Sequence, residues 1–160
     1  MSRTAVWVLD RHGIERVDIQ GSAAWELVID QQLVTPIAEP PLPGMTPRNR
    51  LASGRFYGIE QDGQGTVTLY RLADGRRALR LAPFRVTANT DLVVWASAAA
   101  SPRTSEASFE APHVKVAELK ATAGTQNYLV PDDVAGQPLA SIVIWCVPIR
   151  VAYAAAPLDR

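Results

Sequence analysis

From residue 50 onward, apolar and polar residues alternate in short runs with a period of two. The run 66–72 has this alternation, and the run 77–81 repeats it after the pair Asp74-Gly75. Alternation over so few residues is typical of half-buried β-strands, and Asp-Gly tolerates the positive φ of a tight hairpin. The two runs therefore predict an antiparallel hairpin.

The run 92–96 is almost continuously apolar, which predicts a strand buried on both faces. The run 141–153 is the most apolar strand-like run of the chain. Pro83 is expected to end one strand, and Pro131 to open a short helical turn. The small, polar interval 97–110 is interrupted by proline and is expected to be a mobile loop. No sustained helical period appears, so the chain is predicted to be all-β, an antiparallel β-sandwich or barrel.

The N-terminal region has a different pattern. Residues 5–9 and 14–19 flank a glycine-bearing turn and predict an extra hairpin. Five prolines then block both helix and central strand, which predicts an extended, proline-rich arm laid against the domain surface: Pro36, Pro40, Pro41, Pro43 and Pro47. We divide the chain into the hairpin and connector (1–49) and the β domain (50–160).

Composition and charge remove several classes of function. The 160 residues carry 16 basic and 16 acidic side chains, a formal net charge of +0, so no basic face favours nucleic acid. No apolar run approaches the ~20 residues of a spanning helix. The first ten residues are too short in apolar length for a signal peptide, because Asp10 and Arg11 interrupt them.

The single cysteine, Cys146, carries the main chemical question. Strand alternation predicts that it shares a face with Ile142 and Ile144, whereas Trp145 points the opposite way. A thiol among isoleucines is most simply a small buried hydrophobe. A redox role instead requires water or a nearby cation, and Arg150 is predicted on the same face. One cysteine excludes an internal disulfide but leaves both alternatives open.

Metal and hydrolytic chemistry are not favoured. A blue-copper site needs two histidines and a cysteine with a weak axial ligand, and the chain offers His12, His113, Cys146 and Met45. No histidine follows the cysteine closely, and both histidines are predicted to be solvated in loops. No Gly-x-Ser-x-Gly elbow or haem-attachment motif occurs. We therefore expect no metal site and no evident cofactor.

Other polar and aromatic residues have structural interpretations. Asp91 precedes an apolar strand and is expected to be a turn side chain bonded to nearby backbone N–H groups. The aromatic side chains Trp95, Tyr128, Trp145 and Tyr153 are expected to stack in one core.

The order of several motifs over residues 53–158 resembles the DM-thirteen domain family, labelled electron transfer and often found with DOMON domains. The resemblance is carried by Ser53-Gly-Arg-Phe-Tyr-Gly58, Gly65-Thr-Val-Thr-Leu-Tyr70, Asp74-Gly75, Leu79-Arg-Leu81, Phe84-Arg-Val86, Thr90-Asp-Leu-Val-Val-Trp95, Val116-Ala-Glu-Leu-Lys120, Gly124-Thr-Gln-Asn-Tyr-Leu-Val-Pro131 and the run 141–158.

The resemblance implies an electron-transfer accessory domain with a redox partner protein. Cys146 would be its redox thiol, reachable by a mild reagent, with Asp91, Tyr128 and Trp145 in support. The chain departs from the family where Asn89-Thr90 replaces the usual Gly-Pro and where the first hairpin lacks a histidine.

The family is usually extracytoplasmic or membrane-tethered, so either a leader or anchor is missing from this chain or this member is cytoplasmic. The alternative function is a non-catalytic binding or scaffolding module of the cell envelope. It would present the loops 98–112 and 132–138 to a protein or glycan.

Overall fold

The structure, a computed structural model, describes residues 4–10, 13–19 and 36–160. The chain divides into two compact units, Met1–Thr35 and Pro36–Arg160. In the first unit, β1 (Thr4–Asp10) pairs antiparallel with β2 (Gly13–Ile19) along the whole length of both strands, which confirms the predicted hairpin. The proline-rich residues 36–49 belong to the second unit.

The second unit consists of strands, one 3-10 turn and one short helix. Its elements are β3 (Ile37–Ala38), the 3-10 turn (Pro47–Asn49), β4 (Arg50–Arg55), β5 (Tyr57–Gly58), β6 (Gly63–Arg71), β7 (Arg77–Val86), β8 (Leu92–Ser97), α1 (Ser105–Glu110), β9 (His113–Glu118), β10 (Ala123–Val130), β11 (Ser141–Cys146) and β12 (Val151–Pro157).

These strands form two five-stranded sheets that pack face to face. The first sheet has the order β3-β10-β7-β6-β4, and the second has the order β5-β12-β11-β8-β9. Every pairing is antiparallel except that of β3 with β10, which is parallel. The all-β prediction is therefore confirmed, and the architecture is a sandwich rather than a closed barrel.

The inner core lies between the sheets and follows from the alternation of the sequence. Leu79 and Leu81 of the first sheet face Ile142 and Ile144 of the second, and all four are fully buried. Arg80, between the two leucines, and Val143, between the two isoleucines, point to the outer faces because successive side chains alternate. Burying each leucine or isoleucine side chain contributes roughly 1.5–3 kcal/mol, so this core supplies much of the driving force for folding.

The interval 97–110, predicted to be a loop, contains the helix α1 instead. Thr104 caps it, because its hydroxyl accepts a hydrogen bond from the Ala107 N–H at 3.0 Å. The Ser105 hydroxyl accepts another from the Ala152 N–H of β12 at 2.9 Å, which fixes the helix on the outer face of the second sheet. Threonine is a residue type that favours helix N-caps, but Pro102 shortly before it favoured a loop over so short a helix.

Two predictions about proline are wrong. Pro83 does not end a strand, since β7 runs through it to Val86 with an irregularity in register opposite Gly65. Pro131 does not open a helix, because the segment that follows forms an isolated bridge between Val134 and Gln137.

The proline-rich arm lies along the edge and outer face of the first sheet, as predicted. Its β3 pairs with β10 at Gly124, where an added Cβ would come within 2.0 Å of the Ile37 carbonyl oxygen. The Glu39 carboxylate then accepts hydrogen bonds from Lys120 Nζ and the Asn127 N–H, both at 2.8 Å. Arg80 donates to the Asn127 side-chain oxygen at 2.9 Å. We call Glu39, Lys120, Asn127 and Arg80 the arm latch.

Candidate functional site

Cys146 is the last residue of β11, at one end of the sandwich, and pairs with Leu92 and Val151 on either side. Its side chain belongs to the inner core with Ile142 and Ile144, as strand alternation predicted. The residue is only 1% exposed. The expectation that the thiol is reachable from solvent is therefore wrong for the folded state, because the core closes over it.

The thiol nevertheless has a polar neighbour, Asn89 in the β7–β8 connection. The Asn89 side-chain amide donates to Cys146 Sγ at 3.7 Å and to the Tyr153 hydroxyl at 2.9 Å. The amide oxygen accepts from the Asp91 N–H at 3.2 Å, a side-chain turn that fixes the connection. Asn89 is half-buried, so it separates the sulfur from the end of the sandwich.

Asp91 contributes through its backbone rather than as the expected turn side chain. Its carbonyl oxygen accepts a hydrogen bond from the Val147 N–H at 3.2 Å, one residue after the thiol. Its exposed carboxylate accepts from the Thr90 hydroxyl at 3.1 Å. The turn role predicted for Asp91 belongs to Asn89, and Asp91 ties the connection to the end of β11.

Tyr128 belongs to the inner core, but its hydroxyl bonds to Gln126 of its own strand and to the β9–β10 connection rather than to the thiol. The hydroxyl donates to Gln126 Oε1 at 2.5 Å and accepts from the Lys120 N–H at 2.9 Å. Burial raises the pKa of Tyr128 well above its usual value, although the Lys120 N–H opposes this. The hydroxyl is thus a structural donor that holds the β9–β10 turn, and Tyr153 is the tyrosine that the Asn89 amide links to the thiol.

Trp145 points to the outer face of β11, away from the thiol. Its indole stacks on that of Trp95, with ring centroids 4.3 Å apart and planes inclined by 17°. Trp95 stacks in turn on the His113 imidazole at 3.9 Å and 16°. The ring centroid of Phe109 in α1 lies 5.9 Å from the ring centroids of both Trp145 and His113. We call these four residues the outer aromatic stack.

Two expectations about the aromatic residues and His113 are therefore wrong. The tryptophans and the core tyrosines do not share one core, because Trp95 and Trp145 lie on the outer face whereas Tyr128 and Tyr153 lie inside. His113 begins β9 and is half-buried on Trp95 rather than solvated in a loop.

Arg150 requires a further correction. It lies in the turn after β11, with φ at +55°, and places its guanidinium 4.7 Å from the centre of the Phe109 ring. The strand ends before Arg150, so face alternation does not extend to it. It therefore contacts the outer aromatic stack instead of supplying the cation expected near Cys146.

Metal-ligating side chains do not cluster in the described part of the chain. There, no group of three His, Cys, Asp or Glu side chains is arranged to hold a metal ion. Of the residues considered and not favoured as copper ligands, His12 lies outside the described residues. No helix in the ranges 4–10, 13–19 and 36–160 is long and apolar enough to cross a membrane.

Two features of the site were missed from the sequence. Asn89 had been noted only as a departure from the family pattern, yet asparagine shortly before a buried strand commonly bonds to local backbone. The stack of Trp95 on Trp145 had a weak indicator, since both occupy outward positions of strands that become neighbours. That neighbour relation is set by long-range pairing of β8 with β11, which local sequence does not encode.

Comparison with known proteins gives one match. No curated protein and no solved structure matches the chain. The family model described as Electron transfer DM13 matches residues 55–158, more than half of the chain. This interval runs from the end of β4 to just beyond β12 and contains Cys146, Asn89 and the outer aromatic stack. The chain therefore belongs to the Electron transfer DM13 family.

Proposed function

We propose that the second unit is an electron-transfer accessory domain in which Cys146 is the redox-active group. The family to which the chain belongs supports electron transfer as the class of function. The observation that carries the finer proposal is the end of β11, where the thiol and the Trp145 indole are consecutive residues on opposite faces of one sheet. An oxidisable sulfur inside the core is thus one residue away from an aromatic cluster outside it.

The burial of the thiol selects the type of chemistry. Thiol–disulfide exchange requires a thiolate to attack a second sulfur in direct contact, so it depends on access. A sulfur whose residue is 1% exposed does not meet that condition. A single electron can leave a buried group without contact, because electrons tunnel through protein over several ångströms. We therefore assign one-electron transfer to this site.

One electron and one proton leave the thiol in this step. Cys146 gives the electron to a one-electron oxidant, a partner protein that carries a metal or flavin centre. The half-buried Asn89 side chain moves aside in this step, so that the S–H proton passes to water at the end of the sandwich and a thiyl radical remains. A one-electron reductant and a proton restore the thiol.

The surrounding residues have supporting roles. Asn89 orients its amide toward the sulfur, and Asp91 ties the β7–β8 connection to Val147. Trp145 provides the covalently adjacent aromatic group. Tyr128 supports the site only indirectly, through the inner core that it shares with Cys146.

The test uses the full chain and a photogenerated ruthenium(III) polypyridyl complex as the oxidant. Rapid freezing followed by low-temperature electron paramagnetic resonance detects a sulfur radical without contact with the buried thiol. We expect a thiyl signal in the parent chain and its loss in Cys146→Ser. In parallel, an aromatic disulfide reagent should label the native thiol far more slowly than the denatured thiol.

Two results would contradict the proposal. Rapid labelling of the native thiol would favour direct exchange chemistry in place of electron tunnelling. A folded protein that shows no thiyl signal under oxidation would remove the thiol as the redox group. Asn89→Ala serves as a matched variant, because it removes the sulfur's polar neighbour and should accelerate labelling by the disulfide reagent.

A further inference from the structure

We propose that the stacked pair Trp95 and Trp145 is an electron relay that connects the protein surface with Cys146. This inference deepens the proposed electron-transfer function and rests on it for the role of the thiol. It assigns a function to the outer aromatic stack and names the route by which an external oxidant reaches the core.

The geometry of the stack differs from that of ordinary aromatic packing in the same domain. Inside the core, Phe56 and Phe84 meet edge to face, with planes inclined by 65°. The planes of Trp95 and Trp145 are inclined by only 17° at 4.3 Å, and those of Trp95 and His113 by 16° at 3.9 Å. Parallel overlap lets neighbouring π-systems share a positive charge, whereas edge-to-face contact does not.

Three aromatic rings in succession thus lead from a strand edge of the second sheet to the residue beside Cys146. His113 lies on the edge strand β9, Trp95 on β8 and Trp145 on β11, in the order of the sheet. His113 Nδ1 lies 2.7 Å from the Ala111 carbonyl oxygen. Because a carbonyl oxygen only accepts, Nδ1 carries a proton, and this hydrogen bond holds the ring over Trp95.

Phe109 covers the relay on its solvent side. Its side chain is 45% exposed, while the indoles beneath it are almost fully buried. Arg150 lies over the Phe109 ring, so an approaching oxidant meets a thin layer of side chains above Trp145.

The chemistry of the relay needs no bond to form or break within the indoles. Indole is among the most easily oxidised side chains. One electron passes from the Trp95–Trp145 pair to the external one-electron oxidant, which is reduced, and an indole radical cation remains. Cys146 then refills the pair with one electron and gives its S–H proton to water, as above.

The experiment measures the indole radical by transient absorbance after flash generation of ruthenium(III) in solution. It uses the full chain with Trp7 and Trp25 replaced by phenylalanine, so that Trp95 and Trp145 are the indoles that remain. In this background we expect Trp95→Phe and Trp145→Phe each to lose most of the signal. Phe109→Ala should accelerate oxidation several-fold, because it removes the cover of Trp145 at an exposed position that the fold tolerates.

The outcomes separate the relay from the function on which it rests. The relay is overturned if folded Trp95→Phe and Trp145→Phe keep the parent signal, or if Phe109→Ala leaves the rate unchanged. Where a tryptophan variant does not fold, Phe109→Ala alone decides. In Cys146→Ser, the indole radical should live longer because no thiol refills it. A radical that forms with an unchanged lifetime would leave the stacked pair as an oxidisable site but would overturn its connection to Cys146.

Discussion

The outer faces of the two sheets are both covered, but by segments of opposite chemistry. On the first sheet the proline-rich arm is fastened by the arm latch, a set of charged and polar side chains around Glu39. On the second sheet α1 and its flanking loop cover stacked indoles. Both covers are peripheral segments added to the same sandwich.

The two covers differ in how completely they exclude water. The arm latch stays partly wet, since the Lys120 and Glu39 side chains remain 42% and 32% exposed. Such pairs contribute about 0–1 kcal/mol, because water competes for the same charges. The cover of the second sheet is apolar and leaves Trp145 only 4% exposed. One cover therefore acts as a polar fastening, and the other makes a dry aromatic compartment.

The largest effect should come from emptying the dry compartment. Trp145→Ala should lower the free energy of unfolding by about 3–5 kcal/mol, because it deletes a buried aromatic ring and leaves a cavity beneath α1. Urea denaturation measures this loss. Arg80→Ala, on the outer face of the first sheet, is the matched comparison and should cost much less. Equal losses of unfolding free energy in Trp145→Ala and Arg80→Ala would show that the apolar cover contributes no more to stability than the polar one.

Much of the sandwich was predictable from alternation alone. Leu79, Leu81, Ile142, Ile144 and Cys146 were assigned to their correct faces, since a period of two fixes side-chain direction without knowledge of the partner strand. The arm was predicted from its prolines, which exclude other structures. Burial of the strand that begins at residue 92 followed from its continuous apolar character.

The site was less predictable because long-range pairing determines it. Alternation put Trp145 opposite to Cys146, but which rings Trp145 meets depends on β8 and on the helix that follows it. The position of Asn89 over the thiol depends on how the β7–β8 connection closes the end of the sandwich. The extracytoplasmic location implied by the family resemblance stays a prediction.

The attachment of the arm can be broken by one methyl group. The φ of Gly124 is +107°, and an added Cβ would meet the Ile37 backbone at 2.0 Å. Gly124→Ala should therefore destabilise the protein by more than about 1 kcal/mol, because alanine fits neither the conformation nor the space. We expect faster hydrogen exchange at the Glu39 N–H, which bonds to the Thr125 carbonyl.

Gly75→Ala is the control for Gly124→Ala. It also has positive φ, at +86°, but open space around the added Cβ. It should cost stability without changing exchange at Glu39. Unchanged exchange in Gly124→Ala would mean that β3 does not depend on this close approach.

The smallest effect concerns the charge of the arm latch and depends on pH. Burial alone would raise the pKa of Glu39, but hydrogen bonds from Lys120 and the Asn127 N–H and the charge of Arg80 hold it below its ordinary 4.5. A depressed pKa in the folded state stabilises the fold above the unfolded value, and this stability is lost as pH falls through the folded pKa.

Glu39→Gln should therefore lower the free energy of unfolding by at most about 1 kcal/mol near neutral pH. Denaturation at about pH 7 and about pH 3 should show this difference shrinking on acidification. Glu118→Gln alters an exposed pair with Lys115 and is the control. If Glu39→Gln lowers the free energy of unfolding as much at the lower pH as at the higher, the shape of the Glu39 side chain and not its charge holds the arm.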